Sequence, residues 1–152
     1  VEEGGILIFY FAGHGIMVGN RCVLAPADFA GKEDLNSGIS GNDLIKWLHV
    51  AECKASHVLC LFDCCYAGDL GTVLTSPDNL LKIKPGLFVM CGCAAKEKCT
   101  SVDALGHSIF TYFLLDYLRR QHCMGRFEVK QAMKEITELC YSFSSLLVSY
   151  VP

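Results

Sequence analysis

Three runs along the chain are apolar almost without interruption. They are Gly5–Phe11 (GILIFYF), His57–Asp63 (HVLCLFD) and Leu87–Cys93 (LFVMCGC). Each is short, rich in β-branched or aromatic residues, and bounded by glycine, serine or reactive side chains. That composition predicts strands. None alternates strictly between apolar and polar positions, so each is expected to be covered on both faces, as in a parallel sheet between helices.

Helical periods fill the intervals. Ser40 and Asp43 form a capping-box start, with Asp in place of the usual Glu. Leu44, Trp47, Leu48 and Ala51 then fall on one face. A second helix is predicted over Ser108–Arg120 and a third over Phe127–Phe143. Leu146–Val151 reads as a last strand or its stub, and Tyr66–Gly86 as a long loop without a clear element. The order strand, helix, strand, loop, strand, helix, helix implies an α/β fold, a three-layer αβα sandwich with a mostly parallel sheet. Residues 1–152 suit one domain. The start at Val1, without methionine and close to a strand, suggests a fragment.

The chain is 52% hydrophobic and 19% charged, enough to bury a core. A net charge of −3 with scattered basic residues argues against nucleic acid as partner. No apolar stretch has the length of a membrane span, so no membrane partner is expected. The oligomeric state is not readable. Ten cysteines raise the question of disulfides or zinc. Cys60, Cys91 and Cys140 lie inside apolar runs, and paired C-x-x-C knuckles are missing. Reduced thiols in a cytoplasmic setting are the expectation, with no bound metal. Cys91, Cys93 and Cys99 read as core or lining rather than redox groups.

Two of the apolar runs end on chemistry: the first in AGHG, with His14, the second in DCCYAG, with Asp63, Cys64 and Cys65. Ligands of an open parallel sheet bind beyond the carboxyl ends of its strands. If these two strands are neighbours, an imidazole and a thiol share one crevice. A thiolate can attack a carbonyl there, and an imidazole can take and return the proton. The amides of Gly15 and Cys65 could hold the resulting oxyanion.

FAGHG with DCCYAG resembles the caspase-like cysteine peptidases, notably the metacaspase and paracaspase branch, in which histidine and cysteine are separated by about fifty residues. LAPADF (Leu24–Phe29) and CTSVDALGHSIFTYFLL (Cys99–Leu115) are similar to further family segments, so the likeness covers most of the chain. The resemblance implies a caspase-like fold without the family's first strand, and a thiol protease acting on polypeptides. It implies His14 and Cys65 as the catalytic dyad, because the Asp-x-Cys register selects the second thiol. Asp63 and Asp103 would line a pocket for Arg or Lys of the substrate. An inactive scaffold and an Asp-selecting peptidase are the alternatives. Metacaspases often use calcium, and Asp28 and Asp43 fall where acids of such a site would lie.

Overall fold

The computed structural model of the chain describes residues 3–31, 34–49, 53–83, 86–122 and 128–150. The chain forms two compact units, Val1–Cys99 and Thr100–Pro152.

The first unit opens with strand β1, Ile6–Ala12. It is followed by β2, His14–Val18, and β3, Arg21–Ala25, which pair antiparallel. The hairpin turns on Gly19–Asn20, with Gly19 at φ 58°. That two-residue Gly-Asn step is a known hairpin signal. A short β4, Ile39–Ser40, adds to β3 and leads into helix α1, Gly41–Trp47. Then come β5 (His57–Asp63), α2 (Ala67–Leu74), α3 (Pro77–Leu80) and β6 (Leu87–Cys91).

Strands β1, β5 and β6 make the expected parallel sheet, in the order β1-β5-β6. The fold is therefore mixed α/β with parallel strands joined through helices. Every residue of β5 from Val58 to Asp63 is buried, as a central strand requires. Edge strand β1 departs from the expectation of two covered faces. Its inward residues Leu7, Phe9 and Phe11 pack on the core, but Ile6, Ile8 and Tyr10 are exposed. The core gathers Leu24, Leu44, Val58, Cys60, Phe62, Ala67, Leu70 and Leu74, all at most 1% exposed. Burying each of the larger aliphatic or aromatic side chains contributes about 1.5–3 kcal/mol.

The capping box of α1 forms as read. Ser40 Oγ accepts from the Asp43 amide at 3.3 Å, and the Asp43 carboxylate accepts from the Ser40 amide at 3.0 Å. The buried stripe is Gly41, Leu44, Ile45 and Leu48, whereas Trp47 is 53% exposed. The spacing i, i+3, i+4, i+7 leaves Trp47 at the margin of that stripe. Ala51 lies outside the described residues.

Where a loop was expected after Tyr66, two helices form. Helix α2 buries Ala67, Leu70 and Leu74 and packs against β3, β6 and α1. Its Gly68 and Gly71 lower intrinsic helix propensity, and tertiary packing overrides that deficit.

The second unit begins with the antiparallel pair β7 (Ser101–Val102) and β8 (His107–Ser108), joined through a 3-10 turn at Asp103–Leu105. Helix α4, Ile109–His122, and helix α5, Val129–Tyr150, pack on each other. Phe113 and Phe143 meet edge to face at 5.8 Å, and Arg120 of α4 pairs with Glu135 of α5. The predicted boundary at Phe127 lies outside the described residues. The expected strand from Leu146 is instead the continuation of α5 through Tyr150. No glycine or proline interrupts Val129–Tyr150, so nothing in the sequence stops the helix.

Candidate active site

Strands β1 and β5 run side by side in one direction, with Ala12 opposite Asp63 at their carboxyl ends. The Gly13 amide extends the pairing by one more bond, to the Asp63 carbonyl at 3.2 Å. His14 and Cys65 therefore leave the sheet at the same end. His14 is exposed and opens β2. The next residue, Gly15, is buried against the peptide of Cys65. A Cβ on Gly15 would lie 1.9 Å from the Cys65 carbonyl oxygen and 3.1 Å from Cys64 Sγ. Only a residue without a side chain lets the two segments lie so close.

The two adjacent thiols are sorted by burial. Cys64 is 1% exposed within the core, and burial above all pushes its thiol well above the usual range. Cys65 is partly exposed. Burial likewise holds Cys22, Cys60 and Cys91 up at about 12, so these thiols stay protonated and inert at neutral pH.

Cys65 is followed by a sharp turn. Tyr66 has φ 62° and ψ 20°, the left-handed region. Such backbone costs a non-glycine residue about 1–2 kcal/mol. It is held by the Tyr66 amide donating to the Glu97 carbonyl at 2.7 Å. Helix α2 starts at the next residue. Gly68 in its first turn admits the loop after β6, since a Cβ there would lie 2.2 Å from the Ala95 nitrogen.

Asp63 ends β5 only 6% exposed, and its Oδ1 accepts from the Cys99 thiol at 3.5 Å. Cys93 sits beside the start of α2. As a thiol it reaches the carbonyls of Cys64, at 3.2 Å, and Glu97, at 3.3 Å. The Cys99 thiol beside it and the amides of Ala67, Tyr66 and Gly68 favour its ionised form and bring it down to about 7. The same contact pushes Cys99 upward, reinforced by burial and by Asp63. Tyr66 was not legible as a site residue, and Cys93 and Cys99 read only as core or lining. The only signal for a close approach was Gly68 in CYAGD.

Asp103 opens the 3-10 turn of the second unit and is exposed. Asp43 is committed to the amide and hydroxyl of Ser40, and Lys46 lies beside it at 3.7 Å. Among the described residues no three His, Cys, Asp or Glu side chains converge as a cation site.

No curated protein matches the chain. A family model described as the caspase domain of C14 peptidases matches residues 2–145, running through both units.

Proposed function

The chain belongs to the caspase-domain family of cysteine peptidases, and from that premise we propose that it is an endopeptidase cutting after Arg or Lys with Cys65 as nucleophile and His14 as proton carrier. In this reading the Cys65 sulfur attacks the scissile carbonyl, its S–C bond forms, and the carbonyl oxygen takes the negative charge. The amides of Gly15 and Cys65 donate to that oxygen. His14 accepts the thiol proton and returns it to the departing amine. Water then releases the acyl group, with His14 as base.

The observation that supports this reading is the close approach of Gly15, the residue after His14, to the carbonyl of Cys65, the more exposed of the two adjacent thiols. Asp63, buried and acidic two residues before the nucleophile, would fit a guanidinium or ammonium group and favour the metacaspase–paracaspase type over Asp selection. The reaction needs no resident cofactor, and free thiols fit a reducing, cytoplasmic setting.

The test is hydrolysis of reporter peptides ending in Arg, Lys or Asp. Cys65→Ala and His14→Ala abolish cleavage after Arg and Lys, and Cys64→Ala keeps most of it. Activity that survives Cys65→Ala and disappears in Cys64→Ala overturns the assignment, and preference for Asp overturns the specificity.

A further inference from the structure

Cys93 and Cys99 belong to one short segment that doubles back on itself. The Glu97 amide closes a turn onto the Ala94 carbonyl at 3.3 Å, and Lys96 adopts φ 64°. The Lys96 amide is tied to Asp69 Oδ2 at 2.8 Å, anchoring the turn on α2. The reversal brings both thiols to the end of β5, Cys93 Sγ onto the Cys64 carbonyl at 3.2 Å and Cys99 Sγ onto the neighbouring Asp63 Oδ1 at 3.5 Å. Both are partly exposed free thiols, unlike the buried Cys22, Cys60 and Cys64. Neither has a part in the peptide-cleavage chemistry above.

We propose that Cys93 and Cys99 form a redox modification site, converted by hydrogen peroxide to a disulfide that closes the 93–99 turn. An accessible thiolate beside a second thiol is the arrangement that peroxide-sensitive sites require. Cys93 is the first to react, since backbone amides at the start of α2 and the Cys99 thiol hold its ionised form. Its sulfur attacks one peroxide oxygen. An S–O bond forms, the O–O bond breaks, and the departing hydroxide leaves as water after taking a proton. The sulfur of Cys99 then attacks the Cys93 sulfenic acid. The S–S bond forms, the S–O bond breaks, and the second hydroxyl leaves as water with the Cys99 proton. Two thiols are oxidised and one peroxide is reduced to two waters. Oxidation removes the proton that Cys99 donates to Asp63 Oδ1 and fixes the segment whose Glu97 carbonyl holds the Tyr66 amide.

The site is tested in the Cys65→Ala protein, where the proposed nucleophile cannot compete for oxidant. Reduced protein is treated with one equivalent of hydrogen peroxide, alkylated and digested with trypsin. Trypsin releases Ile83–Lys96 and Cys99–Arg119 as separate peptides. The expected product joins them, two hydrogens lighter than their sum, and dithiothreitol separates it. The link is expected to persist in Cys91→Ser and to vanish in Cys93→Ser and Cys99→Ser. Fragment spectra of the otherwise unsubstituted peptides assign the bond without relying on those variants to fold. A link placed on Cys91, or recovery of Cys93 and Cys99 as alkylated thiols while other cysteines are oxidised, overturns the proposal.

Discussion

Gly15 and Cys65 touch backbone to backbone: a side-chain carbon on residue 15 would stand 1.9 Å from the Cys65 carbonyl oxygen. The obstructing atom belongs to the main chain, so no rotamer change can relieve the clash. Gly15→Ala is expected to push β2 away from the Cys65 turn and to cost about 1–3 kcal/mol of stability. Hydrolysis of an Arg-ending reporter should fall at least tenfold, as about a 1.4 kcal/mol loss at the transition state would produce. Thermal unfolding and initial rates check both halves. A variant with normal rates would show that this contact does not position the dyad.

Asp63 carries the proposed choice of substrate. Asp63→Asn keeps the shape and the acceptor for Cys99 but removes the charge. Cleavage after Arg and Lys is expected to drop about tenfold or more, chiefly through KM, with slow cleavage of uncharged residues little changed. A positional-scanning peptide series measures this. Equal losses across all residues would assign Asp63 a purely structural part.

Burial of Cys22, Cys60 and Cys91 has a signature in pH. Their folded values near 12 stand above the ordinary thiol value of 9.0, so above pH 9 the unfolded chain gives up protons that the folded chain retains. The folded state therefore binds more protons, and stability falls as pH rises through that window. The melting temperature should decline between pH 9 and 12. Cys60→Ala is expected to make that decline shallower, at the cost of a small cavity. A slope unchanged by Cys60→Ala would attribute the alkaline loss to other groups.

The α1 cap supplies a stability test remote from the chemistry. Ser40→Ala removes the acceptor of the Asp43 amide and the hydroxyl that donates to the Asp43 carboxylate at 2.6 Å. The expected loss is about 1 kcal/mol. Those Ser40 hydrogen bonds chiefly hold the Asp43 carboxyl below its usual value of 3.8. Their contribution is therefore present above that pH and fades as acid protonates the carboxylate in the folded state. Denaturant titrations of both proteins at pH 7 and pH 3 should show the difference narrowing at the lower pH.

The parallel strands and their ends were legible because apolar runs stop abruptly at His14 and Asp63, and the capping box because Ser40 and Asp43 carry their own hydrogen-bonding logic. The β2–β3 hairpin was signalled by Gly19–Asn20 and passed over, since five-residue strands give little periodicity. Helix α2 was hidden by its glycines, whose purpose emerges only when Ala95 and Cys91 are seen against them. The left-handed backbone at Tyr66 and Lys96 was beyond sequence reading. Neither residue type favours it, and both are held there by partners distant in the chain, Glu97 and Asp69.

The sheet order β1-β5-β6 also governs how the molecule comes together. No two of its strands can pair by a tight turn, and the first contact of β1 joins residues as far apart in the chain as Ile6 and His57. Closing such loops precedes any gain from pairing, so refolding from denaturant should be slow compared with a helical bundle of equal length. During that delay the apolar β5 segment stays unburied, and dilution rather than temperature will be the more effective way to raise the refolded yield.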